Sequence, residues 1–311
     1  MREFNIDYNK TFKPVLIVYL SIFLVGVIMA VIFGVKLDIN FSGGTKISYS
    51  YTGEIETAKI EEITQKTLDT SFTLSKSTSL AGDTQTFEIA LVGKNALSAD
   101  KQDALTTEFT KQFKTNKIAL YNSNSVSPTI AGSFFLKSLV AVLITALLVV
   151  IYVGLRFRKI GGVSAAMTAM FALVFDILIT FFTCVIFRLQ IDSNYIAVVL
   201  TILGYSLNDT IVIYDRIREN ERLYPEMEIG ALVNKSVNVV MIRNIVTTIT
   251  TIMAVIIIVV TSEIFGLTTL RTFAIPMAFG LISGSISSIF LSGPLWVIWK
   301  RYKAAKLKVK R

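Results

Sequence analysis

Histidine is missing from all 311 residues, and cysteine occurs once, at Cys184. Without imidazole there is neither a histidine proton shuttle nor a histidine metal site. A single thiol excludes an intramolecular disulfide and any multi-cysteine cluster. Charged residues are scarce, at 17%, and no Walker loop or nucleophile motif is present. ATP-driven chemistry and enzyme activity in the chain itself are therefore not expected, and no metal or cofactor is expected either.

Apolar residues fill the space left by these absences. They make up 53% of the chain, with a mean hydropathy of +0.62, and they come in long blocks instead of alternating. A formal charge of +9 would suggest nucleic acid in a soluble protein. Here the basic residues flank the apolar runs, which is the pattern of membrane orientation, and no nucleic-acid partner is expected.

Taken in order, a polar N-terminus (1–13) with Arg2, Lys10 and Lys13 leads into a run from Pro14 to Val35 without a charge. At 22 residues that run is long enough to span a hydrocarbon core of about 30 Å, and too long for a signal-peptide core, so it reads as an uncleaved first helix (14–35). Further spans are expected at 134–155, 160–187, 195–214, 239–262 and 272–299, with a polar link at 215–238 and a basic tail at 300–311. Lysine and arginine cluster in the N-terminal segment, at 156–159, in the link and in the tail, whereas the opposite short loops carry only Arg188 and Arg271. The positive-inside rule then puts both termini in the cytoplasm, with Trp296 and Trp299 as interfacial anchors of the last span and membrane lipids around the bundle.

Between the first two spans lies the one large water-soluble segment, 36–133. Lys46–Tyr51, Phe72–Thr78, Gln85–Val92 and Lys117–Val126 read as strands, the middle two around an Ala81-Gly82-Asp83 turn. Thr57–Leu68 and Ser98–Phe113 have apolar residues at helical spacing. The expected fold is a polytopic α-helical membrane protein with six transmembrane helices and an extracytoplasmic α+β, ferredoxin-like (βαββαβ) domain between helices 1 and 2.

Within the fourth span, YIAVVLTILGYSLNDTIVIYDRIRENE (195–221), one aspartate interrupts the apolar run. An ionisable group at that depth costs roughly 2.5–3.5 kcal/mol on insertion scales, which makes Asp209 a candidate functional residue. Thr201, Tyr205 and Asp209 share a helix face, with Gly204 and Asn208 beside it. Asp176 with Thr180 and Thr183 forms a second polar stripe on the third span, and Arg243 with Thr247 and Thr250 or Thr251 a third on the fifth. Lipid will not accept such stripes, so they are expected to face one another or a wet cavity. Asp209 and Arg243 are expected to pair at similar depth, with Asp176, Asn208 and Thr247 as further candidate functional residues. A static ion pair that only fixes helix register is the plainer alternative. Gly280, Gly284 and Ser288 make a small-residue face suited to close helix packing, against this chain or a partner.

Several motifs together resemble the SecF branch of the SecD/SecF family, within the resistance-nodulation-division superfamily. LTILGYSLNDTIVIYDRIREN, with Gly204, Asp215, Arg216 and Arg218, is similar to the family's fourth-helix signature. Phe41, Gly43 and Gly44 of FSGGT are similar to its Asp-Phe-Thr-Gly-Gly box, although Asn40 stands where the box usually has Asp and Ser42 where it has Thr. RNIVTTITT (243–251) and FGLISGSISSIFLSGPL (279–295) resemble the fifth and sixth helices. The third helix has Phe175 before its aspartate where the family often has His. The resemblance implies a subunit of the bacterial inner membrane that works with SecD. It implies use of the proton-motive force to promote export of a translocating preprotein through SecYEG, and it also admits YajC as a partner. Half of a proton-driven small-molecule or lipid exporter, or a passive scaffold, are the rival readings.

Overall fold

A computed structural model of the chain describes residues 6–68, 70, 72–78, 85–92 and 97–309. The expected turn at Ala81-Gly82-Asp83 lies outside the described residues, as does Arg2.

Among the described residues, six stretches of helix are long and apolar enough to cross a membrane: Lys10–Phe33, Pro128–Arg156, Gly162–Ile186, Ser193–Leu223, Ile229–Ile264 and Thr268–Lys306. They belong to α1 (Tyr8–Phe33), α5 (Pro128–Arg156), α6 (Gly162–Ile186), α7 (Ser193–Leu223), α8 (Ile229–Ile264), α9 (Thr268–Ser287) and α10 (Gly293–Val309). A π-helical segment, Ser288–Ser292, joins the last two into one crossing. Local chemistry sets several ends. Ser127 caps α5, its Oγ accepting from the Ile130 amide at 3.4 Å, with Pro128 where a missing N–H costs nothing. Helices α6, α7 and α9 form the buried interior of the bundle, whereas α1, α5 and α8 expose most of their apolar surface.

The polar link expected at 215–238 is mostly helix. α7 continues to Leu223 and α8 begins at Ile229. Ion pairs one turn apart, Asp215–Arg218 and Arg216–Glu219 (both 2.7 Å), carry α7 past its apolar part. Asp215 also meets Arg156 at the end of α5, at 3.2 Å. Trp296, expected as an interfacial anchor, is instead fully buried, with the Lys300 ammonium 4.9 Å from its ring centre; Trp299 remains exposed.

The soluble segment contains a four-stranded sheet in the order β2-β3-β1-β4, every neighbouring pair antiparallel. Its strands are β1 (Gly44–Tyr51), β2 (Phe72–Thr78), β3 (Gln85–Val92) and β4 (Ala119–Val126). Helix α3 (Thr57–Leu68) follows β1, and α4 (Ala99–Gln112) follows β3. Alternation along β1 sends Ile47, Tyr49 and Tyr51 into a core with Phe87, Ile89, Ile60, Leu68, Leu105 and Phe109. Tyr49 stacks on Phe87 at 5.2 Å, and Phe109 meets both rings edge-on. The last strand starts two residues later than its apolar pattern suggests, because Lys117 adopts a left-handed turn (φ 44°).

The root of this domain is tied to the bundle by backbone. Leu37 and Ile191 form an isolated parallel bridge: the Asp38 amide donates to Ile191 O (3.0 Å), and the Ile191 amide to Lys36 O (2.8 Å). Asp38 then caps the short helix α2 (Ile39–Ser42), its carboxylate accepting from the Asn40 amide at 3.0 Å. On the sheet's outer face Lys46 pairs with Glu88 (2.8 Å) and with Asp38 (3.6 Å). Gly44 is required here: its φ is 139°, and a Cβ would overlap Leu91 O.

Beside this bridge Asp192 caps α7, accepting from the Asn194 amide and from Thr272 Oγ1, each at 2.9 Å. Burial pushes its carboxyl above the ordinary value, the Thr272 and Asn194 bonds pull it back, and the charge of Asp38 adds to the rise. Between the ordinary and raised values the folded chain holds a proton that the unfolded chain has released. Stability therefore falls as pH rises through that window. Asp192→Asn cannot titrate and should flatten the unfolding midpoint against pH; an unchanged slope would place the proton elsewhere.

Candidate functional site

Two side-chain bonds fix how α7 lies on α8. Tyr205 OH donates to Thr251 Oγ1 at 3.0 Å; fifteen residues further along α7 and fifteen back along α8, Asn220 Nδ2 donates to Ser236 Oγ at 2.8 Å. This antiparallel register sets Asp209 level with Thr247 and Thr248, with Arg243 one turn further on. Asp209 is 2% exposed, and its Oδ2 has no hydrogen-bond partner. Thr248 Oγ1 at that level and Asn244 Nδ2 one turn along α8 are also buried and unsatisfied. Buried polar atoms in native proteins are almost always paired, so three unspent ones together mark a site under strain or in use.

Arg243, expected to pair with Asp209, sits one turn along α8 from its level. The two form no ion pair, and the arginine is exposed. It lines an open cleft of about 650 Å³ between α7 and α8, together with Asn208, Asp215, Arg216, Arg218 and Val239. Asp209 thus lies buried beside an aqueous-sized opening that carries its potential counter-charge. Of the stripe expected on α8, Arg243 and Thr250 are exposed, and Thr247 donates to Arg243 O at 2.8 Å. Beside this stripe α8 instead buries its neighbours in sequence, Asn244 and Thr248.

The second carboxylate has very different surroundings. Asp176 on α6 was expected to have only its own threonines; it is fully buried inside three hydroxyls from two other helices. Ser206 Oγ of α7 donates to Oδ2 at 2.7 Å, Ser283 Oγ of α9 to Oδ1 at 2.6 Å, and Ser287 Oγ of α9 to Oδ2 at 2.9 Å. Tyr19 OH of α1 lies 3.0 Å from both Ser283 O and Ser283 Oγ. Thr180 bonds the Asp176 carbonyl instead of its carboxylate, and Thr183 bonds Ile179 O. Each hydroxyl bond to a carboxylate is worth roughly 1.5–3 kcal/mol, so this cage is a strong joint between α6, α7 and α9.

The small-residue face of α9 packs inside the chain. A Cβ at Gly280 would overlap Ile202 Cδ1 and Thr180 Oγ1, and one at Gly284 would come within 2.8 Å of Ser206 Cβ. Ser288 Oγ donates to Ser206 O at 3.1 Å and lies 2.9 Å from Thr210 Oγ1. The face therefore brings α9 against α7, where it closes the Asp176 cage, and is not left for a partner. Of the remaining motif residues, Gly204 has open space where a Cβ would project. Phe41 packs on Phe134 at 5.3 Å, and Gly43 abuts Pro128, so the glycine box ties the domain to the start of α5.

Sequence reasoning passed over Ser206, Ser283, Ser287, Asn244 and Thr248. Their i, i+4 pairing on α9 and on α8 was the available signal, masked by the parallel glycine stripe on α9 and by the arginine on α8.

Residues 105–302 match the family model described as protein export membrane protein SecD/SecF, C-terminal. The chain belongs to the SecD/SecF family. It is 32% identical over 283 residues to the protein translocase subunit SecF of Alicyclobacillus acidocaldarius, covering 90% of this chain and 88% of the relative. It is 30% identical over 295 residues to SecDF of Bacillus subtilis, covering 94% of this chain but 38% of that one. The crystal structure of SecDF from Thermus thermophilus, a translocon-associated membrane protein, superposes with a TM-score of 0.77 at 25% identity, over 96% of this chain and 39% of that one. The chain therefore spans about two fifths of the SecDF proteins and most of the SecF relative. The SecD/SecF match takes in Asp176, Asp209 and Arg243 together.

Proposed function

We propose that this chain works in the Sec protein translocation machinery, coupling proton flow through its membrane part to preprotein export through SecYEG. SecD is the partner that supplies the remaining part of a SecDF-like assembly, since the SecF-like portion alone is what this chain matches. YajC is a further candidate partner. The soluble domain is ferredoxin-like, by its βαββαβ order and central β1 and β3, and it lies outside the cytoplasm. The basic ends of α5, α7 and α10 support cytoplasmic termini in a bacterial inner membrane.

One observation carries the coupling role: Asp209 is buried in a span with an unpartnered oxygen, level with Thr248 and one turn from Asn244 and Arg243. An anion there is stabilised by the guanidinium and opposed by burial, so movement of Arg243 relative to α7 changes its proton affinity. Arginine keeps its proton and acts as the lever, not the carrier. One charge crossing 100 mV releases about 2.3 kcal/mol, enough to shift two packed states of a domain. The test is preprotein export from vesicles with and without this chain, each with and without an uncoupler. Stimulation that requires both the chain and the gradient is expected. A passive scaffold would stimulate equally under uncoupling, and an exporter of small molecules would leave preprotein movement unchanged.

A further inference from the structure

On α10, Leu295, Ile298, Trp299, Tyr302, Lys303 and Lys306 recur at helical spacing and line one cleft of about 490 Å³, closed on its other side by Met167, Thr168 and Phe171 of α6. Along this stripe the chemistry is graded. Leu295 and Ile298 are aliphatic, Trp299 and Tyr302 are amphipathic rings, and the two lysines come last. From Leu295 to Lys306 the helix rises roughly 16 Å. Phe171, Ile298, Trp299 and Tyr302 are all substantially exposed. Thr168, the one hydroxyl deep in the cleft, is already bonded to Ser164 O at 2.8 Å and to Tyr214 OH at 2.7 Å, so the inner end offers a headgroup nothing.

Charge decides what the outer end takes. Lys300 and Arg301, on the other faces of α10, are matched by Glu221 (3.9 Å) and Glu228 (2.6 Å). Lys303 and Lys306 have no acidic partner among the described residues. Two uncompensated ammonium groups above an apolar, ring-rimmed slot match an amphiphile with a negative head, and membranes supply one. We infer that the α6–α10 cleft is a binding site for an anionic phospholipid, its phosphate held by Lys303 and Lys306 and its acyl chain against Phe171, Ile298 and Trp299. The site does not depend on the export role.

Trp296 and Trp299 are the chain's two tryptophans, and Trp296 is fully buried, so lipid contact at this cleft is read by Trp299. The full chain is placed in vesicles of phosphatidylcholine carrying either dibrominated phosphatidylglycerol or dibrominated phosphatidylcholine, and tryptophan quenching is titrated. At about fivefold per lysine, the anionic lipid is expected to quench at an apparent mole fraction roughly 25-fold lower than the zwitterionic one. The preference disappears in Lys303→Gln/Lys306→Gln and persists in Lys300→Gln/Arg301→Gln. Trp296→Phe removes the background; if that variant does not fold, the unquenched Trp296 is subtracted as a constant. Equal quenching by the two lipids overturns the inference, as does a preference that follows Lys300 and Arg301. Trp299 shielded from both lipids, with a photo-crosslinker at Tyr302 capturing a protein helix, would assign the cleft to a protein partner and overturn it as well.

Discussion

Asp209→Asn is expected to abolish the gradient-dependent part of preprotein export while leaving the chain folded and inserted. The amide keeps the shape of the carboxylate and removes its titration. Because Asp209 makes no hydrogen bond through its buried oxygen and no ion pair, little packing is lost. Removing an uncompensated buried charge is neutral or stabilising, so the unfolding free energy should change by less than about 1 kcal/mol or rise. Export measured with the variant should fall to the rate of uncoupled wild type, and uncoupler should lower it no further. Full stimulation in a correctly inserted Asp209→Asn chain would refute the coupling role. Arg243→Gln should lose stimulation too, since a neutral partner no longer changes the acid's affinity for a proton.

Asp176→Leu is expected to do the reverse in one respect: it should destabilise the bundle core. Three hydroxyls on α7 and α9 lose their shared acceptor at once. Each lost bond costs roughly 1–3 kcal/mol, and part is recovered because serine hydroxyls on helices can turn to their own backbone carbonyls. Ser287 already has Gly284 O at 3.2 Å. A net loss of about 3 kcal/mol is therefore expected, measured by denaturant titration of the purified chain in detergent micelles. Asp176→Asn retains one carbonyl acceptor and should lose about half as much. A leucine variant as stable as wild type would show that the cage does not join the helices. Measured together, the two substitutions separate an acid kept for its charge change from one kept as a joint.

The presence of six long apolar helices was legible because lipid solvation imposes a length and a composition on each crossing, and those are one-dimensional properties. β1, β2 and β3, with α3 and α4, were legible from alternation and helical spacing, since Ile47, Tyr49 and Tyr51 occupy every second position facing one core. Where helices touch each other was not legible. Ser206 lies three residues before Asp209 yet reaches Asp176 on another helix, and nothing in the local pattern says which neighbour α7 will meet. The glycines of α9 announced close approach but not its target, because a missing side chain fits any partner of the right shape. Trp296 was misplaced for a related reason: amphipathic rings favour interfaces, but the same ring fills a large interior volume when α10 turns inward. The helical extensions through 215–238 were hidden because charged residues mark the end of lipid and not the end of a helix.

The staple between Leu37 and Ile191 consists of amide and carbonyl groups alone. The loop between α6 and α7 is thus joined to the root of the α+β domain by main chain. Leu37 is exposed and can vary without slackening the linkage, whereas Ile191 is also held by packing on Cys184 and Leu189, so a comparison of side chains among relatives would register only half of the clasp.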